Sequence, residues 1–346
     1  MRIHLGHHFY GAGNLGDDFM LAGFLSALRT LAPEASFTCC VPFELAPLRQ
    51  RFPVIDWRPY DDASRQEAIA ACDVWLGLGG SPFQSALSRW FIDHLAGDAA
   101  ECTRRGKRMF FLGVGVQNRA ELAVPEVRRI GETAAGIWTR DARSADHLRD
   151  LCPATPVRAA ADLAHVFFRD CPPPAAVPGR VALVANFDYQ EWAGRDPWLG
   201  VLGRLPVTDR VWLAQESRDL PGAERALFAS LPPAVGVQWR LVAPEVAGAP
   251  LPEVMGRWPS AAWLVTSRYH AALAGAWAGS RVVVLSTNEK LASAADVLGA
   301  PAVRPEADTI EITQALAAAT PLSAPRDLAE EASAACAAFL EAARQG

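Results

Sequence analysis

Two arginines and a histidine carry the strongest chemical signal in this sequence. Ser267-Arg268-Tyr269-His270 follows an apolar run at 262–266 and opens a helix of small residues at 271–279. A guanidinium fork beside an imidazole at a helix N-terminus suits a carboxylate or phosphate, and the imidazole can exchange a proton near neutral pH. Arg140, within Trp138-Thr139-Arg140-Asp141-Ala142-Arg143-Ser144, stands at the carboxyl end of another strand and is expected to face the same cleft. The two arginines could then clamp one dianion. A structural role also fits these residues: Ser267 capping its helix, Arg268 and Arg140 pairing with surface carboxylates, and His270 semi-buried.

A second cluster lies near the start, where Gly11-Ala12-Gly13-Asn14-Leu15-Gly16-Asp17-Asp18 runs into the apolar stretch 19–31. Glycines let the backbone turn sharply and an aspartate can cap the following helix, so the loop either holds a polar ligand or is a capped turn. It is not the dinucleotide fingerprint, because Asn14 and two carboxylates sit where a pyrophosphate would approach. It is not a phosphate loop either, since no Gly-Lys-Ser/Thr follows. Gly79 and Gly80, like Gly113 and Gly115, end strands and either admit a ligand to the backbone or make tight turns. Asp162 orients an arginine or caps a turn. Lys290 adds positive charge or is a solvated first-turn residue. Trp192 and Trp198, among 11 tryptophans, would suit stacking on a sugar face, although most of the tryptophans are expected in the core.

What must position these residues is a pair of parallel sheets. Short apolar runs at 3–5, 37–41, 74–78, 109–114, 136–139 and 157–159 alternate with helix-length segments, of which 85–105 and 142–151 are the clearest. The alternation restarts after the proline-rich stretch 171–178, with strands at 181–185, 210–213, 237–241, 262–266 and 282–285 and helices near 221–231, 269–278 and 289–298. The reading is therefore α/β, two Rossmann-like doubly wound domains facing across a cleft: 1–170, a linker at 171–179, 180–325, and a C-terminal helix at 326–346. With 346 residues and 51% hydrophobic content the chain can build two such cores. Its net charge of −5 and lack of a basic run argue against nucleic acid as a partner. Seven cysteines without a CxxC pair point to reduced, mostly buried thiols and to no metal cluster. The N-terminus lacks a signal-peptide core and the apolar region 261–286 is broken by charge, so a cytoplasmic protein without a transmembrane segment is expected, with peripheral membrane contact left open.

Taken in order, the Gly-Asn-x-Gly-Asp-Asp loop, Gly79-Gly80, Gly113-x-Gly115, Arg140-Asp141-x-x-Ser144, Asp162, Ser267-Arg268-Tyr269-His270 and Lys290 resemble the polysaccharide pyruvyl transferase family. The resemblance implies a glycosyltransferase-B-like fold, phosphoenolpyruvate as donor, a sugar or lipid-linked saccharide as acceptor, a pyruvate ketal as product, and no cofactor or metal. By the same resemblance Arg268, Arg140, Ser267 and Lys290 bind the donor, and His270 and Asp17 are catalytic. Gly13, Asn14, Gly16, Asp18, Gly79, Gly80, Gly113 and Gly115 form the acceptor or cleft loops. Ser81 departs from the pattern, where many relatives carry a third glycine. Two alternatives stand beside it. A GT-B-type glycosyltransferase using a nucleotide sugar would need a ribose-binding carboxylate such as Glu245 or Glu253; a non-catalytic homologue would keep the cleft to bind a glycan or anion.

Overall fold

The computed structural model describes residues 1–6, 9–84, 89–187 and 190–345. The first sheet has seven parallel strands: β1 (Arg2–Leu5), β2 (Ser36–Val41), β3 (Ile55–Pro59), β4 (Val74–Leu78), β5 (Arg108–Val114), β6 (Ala134–Thr139) and β7 (Val157–Ala159). They lie in the order β3-β2-β1-β4-β5-β6-β7. The second has six: β8 (Val177–Val184), β9 (Asp209–Leu213), β10 (Arg240–Val242), β11 (Ala261–Thr266), β12 (Arg281–Leu285) and β13 (Ala302–Val303), ordered β10-β9-β8-β11-β12-β13. Each order reverses direction once, between β1 and β4 and between β8 and β11, and such switch points are where open α/β sheets leave a crevice at their strands' carboxyl ends.

The central strands are nearly continuous apolar runs because both faces are covered, as in β4, where all five residues are buried. Edges read less clearly. Ile55-Asp56-Trp57-Arg58-Pro59 alternates buried and more exposed residues and ends in proline, and it forms the edge strand β3 that was not anticipated. β13 is a two-residue edge that apolar patterning also misses. The strand expected at 237–241 shifts to β10, since 233–236 is a short helical turn and Val237 is exposed. β8 begins at Val177, within the expected linker. Pro178 lacks an N–H, and the pairing with β11 shifts register there. The helix expected over 85–105 is Trp90–Arg104; positions 85–88 lie outside the described residues.

The two halves share a core. Phe19, in the helix Leu15–Leu31, stacks on Phe167 and meets Trp258 of the second half at 6.1 Å. Trp277 Nε1 donates to His165 Nδ1 across the same boundary at 3.1 Å. The C-terminal helix Arg326–Arg344 returns to the first sheet, where Phe339 packs on Phe110 and Trp138. The seven cysteines are unbonded thiols, and all but Cys171 are buried. Among the described residues no helix is long and apolar enough to cross a membrane.

Candidate functional site

A cavity of about 390 Å³ opens between the carboxyl ends of the two sheets. Its first-half lining includes Asn14 and Asp17 after β1, Gly80 and Ser81 after β4, Gln117 after β5 and Arg140 after β6. The second half adds Asn186 after β8, Glu216 after β9, Ser267 to His270 after β11, and Thr287, Asn288 and Lys290 after β12. Each of these lining groups follows the end of a strand.

Arg140 is the most heavily constrained. Its side chain is fully buried, lies 4.3 Å from the Tyr269 ring centroid, and donates from Nη2 to Ser81 Oγ at 3.2 Å. Nε and Nη1 have no hydrogen-bond partner among the described residues; the nearest carboxylate oxygens, of Asp141 and Asp162, stand at 3.8 and 3.9 Å. A buried donor left unpaired costs about 1–3 kcal/mol, so this guanidinium is poised to take an anion. The pair with Asp141 is present only as a long, buried ion pair without a hydrogen bond, not as the surface pair that a structural role would require. Asp141 instead caps the helix Ala142–Leu151 through Ser144 N, and Ser144 Oγ both donates to Asp141 and accepts from Val116 N.

Asp162 joins Arg140 to the histidine. Its Oδ2 lies 3.4 Å from His270 Nε2, and its Oδ1 accepts from Ala164 N, so it caps a turn and orients cations at once. Burial would push the Asp162 carboxyl up, but the His270 imidazole and the Arg140 guanidinium outweigh it and hold the group at about 2. Gly16 fits here because it has no side chain: a Cβ would lie 2.1 Å from His270 Nδ1. Gly115 plays the same part for Arg140, whose guanidinium atoms would stand 2.3 to 2.5 Å from an added Cβ.

Several expected roles change. Arg268 lines the cavity, but its Nε donates to Glu224 Oε1 at 2.8 Å and its Nη2 to Glu224 Oε2 at 3.3 Å, with Glu216 Oε2 at 3.5 Å. The fork is therefore already engaged by a fully buried carboxylate. Ser267 does not cap the helix Tyr269–Trp277; Arg268 occupies the cap position, and Ser267 Oγ donates to Asn186 O while accepting from Asn186 N. Asn14, not an aspartate, caps the helix Leu15–Leu31, accepting from Gly16 N, and its Nδ2 donates to Asp17 Oδ2. Asp17 faces the cavity. Asp18 turns inward, accepts from Gly11 N and pairs with Arg51, which also reaches Glu245, Val246 O and Ala249 O of the second half. Burial pushes the Asp18 carboxyl up to about 6 against the pull of Arg51.

Of the cleft glycines only Gly80 lines the cavity. Gly13 packs against Ser217, Gly79 against Met20 and Gly113 against Leu163, so protein atoms, not a ligand, approach them. Trp192 and Trp198 are core residues, each donating Nε1 to Pro305 O, and are not a stacking surface. Lys290 is at the cavity, with its N–H on Gln117 O. Sequence reasoning missed Tyr269 as a stacking partner and Glu216 and Glu224 as partners of Arg268. Glu216 carried a signal, since it follows the apolar run of β9; Glu224 carried none.

These features define a class: a two-sheet α/β protein of the glycosyltransferase-B type with a cationic site between its Rossmann-like halves. Solved structures agree on the fold. UDP-N-acetylglucosamine 2-epimerase from Rickettsia bellii is 10% identical with a TM-score of 0.67, covering 99% of this chain and 95% of its own. The UDP-GlcNAc 2-epimerase from Methanocaldococcus jannaschii is 9% identical with a TM-score of 0.60, covering 100% and 99%. The Neisseria meningitidis enzyme, bound to UDP-GlcNAc, is 10% identical with a TM-score of 0.59, covering 100% and 99%. No curated protein sequence matches the chain. The polysaccharide pyruvyl transferase family model matches residues 14–220, and the chain belongs to that family. Arg140 and Asp162 fall inside the matched region; Arg268 and His270 follow it.

Proposed function

We propose that the protein transfers the enolpyruvyl group of phosphoenolpyruvate to two hydroxyls of a sugar, forming a pyruvate ketal in polysaccharide or glycoconjugate biosynthesis. The observation that carries this reading is the buried Arg140 guanidinium with two unpaired N–H groups, held beside the His270–Asp162 pair in one cavity. Phosphoenolpyruvate carries a carboxylate and a phosphate, and Arg140, Lys290 and the Arg268 edge supply the matching positive charge.

His270 protonates the methylene carbon, the electron-poor central carbon takes a sugar hydroxyl, and a proton leaves to Asp17. The C–O bond to phosphate then breaks, the second hydroxyl closes the ketal, and inorganic phosphate departs. Of the two hydroxyl protons, one is balanced by the new methyl group and one by the phosphate. Asp162 orients the imidazole from 3.4 Å, and its low affinity for protons keeps it from competing as the acid. Both halves serve the donor in this reading, the first through Arg140 and the second through Arg268, His270 and Lys290, while Asn14 and Asp17 of the first half face the acceptor.

The nucleotide-sugar alternative gains no support from its expected ribose ligands. Glu245 is tied to Arg51 and Glu253 to Arg257, and neither lines the cavity. The test is carbon NMR of phosphoenolpyruvate labelled at its central carbon, incubated with a saccharide panel. The reading expects a saccharide-dependent ketal resonance with one phosphate released per ketal, reduced about 10²–10⁴-fold in His270→Gln. Ketal formation at the wild-type rate in His270→Gln would refute the role given to the imidazole.

A further inference from the structure

The tryptophan that meets the cavity is neither of those the sequence suggested. Trp90, the first residue of the helix Trp90–Arg104, lines the cavity and is 39% exposed, whereas Trp192 and Trp198 are buried. Its indole is braced by His94, with ring centroids 4.3 Å apart, and by Tyr60 at 5.6 Å. Phe9, 6.2 Å from Trp90 and inclined to it by 68°, stands edge-on and makes an apolar side wall beside the indole face. A large ring held rigidly at a cavity and still exposed loses little conformational freedom when a ligand stacks on it.

We infer that Trp90 and Phe9 form a stacking subsite for a pyranose ring of the acceptor saccharide. The inference rests on the reading of the cavity as a pyruvyl-transfer site and names what holds its acceptor. Phe9 lies in the segment that leads to the cap Asn14 and the first-turn Asp17 of the helix Leu15–Leu31, so an apolar wall and a carboxamide–carboxylate pair face the same cavity. A sugar ring matches that pairing, with an apolar C–H face for the indole and an edge of hydroxyls for Asn14 and Asp17. A phosphoenolpyruvate-sized anion has no such face and is matched by Arg140 and Lys290. The acceptor is thus a saccharide of at least one unsubstituted pyranose face, not a small polyol.

Saturation-transfer NMR on the full-length protein with lactose, cellobiose and N,N′-diacetylchitobiose, and with UDP as the nucleotide probe, tests this directly. At least one disaccharide is expected to bind wild type, to weaken roughly tenfold in Trp90→Ala, and to recover most of its binding in Trp90→Phe. Phosphoenolpyruvate affinity by calorimetry is expected to stay within about twofold in both variants, which also shows that they are folded. If no disaccharide binds wild type more tightly than Trp90→Ala, or if Trp90→Ala weakens UDP instead, the subsite is overturned while phosphoenolpyruvate binding still supports the transfer reading. If the disaccharide effect holds and phosphoenolpyruvate does not bind wild type, the subsite stands and the donor reading falls.

Discussion

Replacing Asp162 with Asn keeps the shape of the side chain and removes the one charge that faces both His270 and Arg140. The sign of the effect follows from the carboxyl's displacement from 3.8 down to about 2, a net preference for the charged form on the order of 2 kcal/mol after its burial cost is met. Because the folded-state value lies below the unfolded one, this stability is present above about pH 4 and is lost as pH falls through about 2. At neutral pH Asp162→Asn should therefore lower unfolding free energy by on the order of 2 kcal/mol, read as a lower urea midpoint with an unchanged slope. Arg140 would keep only Asp141, at 3.8 Å, as a nearby carboxylate. His270 also loses the carboxylate that holds its ring, so turnover should fall by about 10²-fold or more. A purely structural Asp162 would alter the midpoint and leave the turnover of the folded variant near wild type. Wild-type turnover in a folded Asp162→Asn variant would refute the orienting role.

Arg268→Ala should weaken phosphoenolpyruvate binding by about 1.5–3 kcal/mol in calorimetry. Glu224→Gln, which releases the fork while leaving its length intact, should strengthen donor binding if the anion and Glu224 compete for the same N–H groups. Gly16→Ala puts a methyl 2.1 Å from His270 Nδ1, so it should abolish transfer in a steady-state assay far more than it lowers the urea midpoint. Asp17→Asn leaves the Asn14 cap in place, so unchanged stability with lost transfer is expected, and an active variant would limit Asp17 to a polar wall. Burial pushes the Asp98 carboxyl up to about 6, so its contribution is present below about pH 4 and lost as pH rises through 6. Because Asp98 also pairs with Arg65 at 3.2 Å and accepts from Trp75 Nε1, Asp98→Asn is expected to flatten the fall in stability between about pH 4 and 7 in urea titrations at each pH, whatever its absolute stability.

Strands buried on both faces were legible because burial on two sides forces a continuous apolar run, and the site loops were legible because they follow those runs. β3 and β13 escaped because an edge buries one face or only two residues. The arginine and histidine positions could be read from sequence, but their pairing could not. Arg268 and Glu224 are 44 residues apart, and only the folded loops bring them to 2.8 Å. Asp17 and Asp18 are neighbours in sequence, yet the roughly 100° turn per helical residue sends one to the cavity and the other inward to Arg51. Tryptophan number likewise said little about stacking, since exposure at the cavity, not count, decides it.

Calorimetry of phosphoenolpyruvate and of UDP-GlcNAc against wild type and Arg140→Lys most directly tests the central claim, that the cavity is an anion site for an enolpyruvyl donor. Phosphoenolpyruvate should bind wild type at one site per chain and weaken in Arg140→Lys, where the planar fork and its stack on Tyr269 are lost, while UDP-GlcNAc should show no saturable heat. Saturable UDP-GlcNAc binding with none for phosphoenolpyruvate would contradict the account.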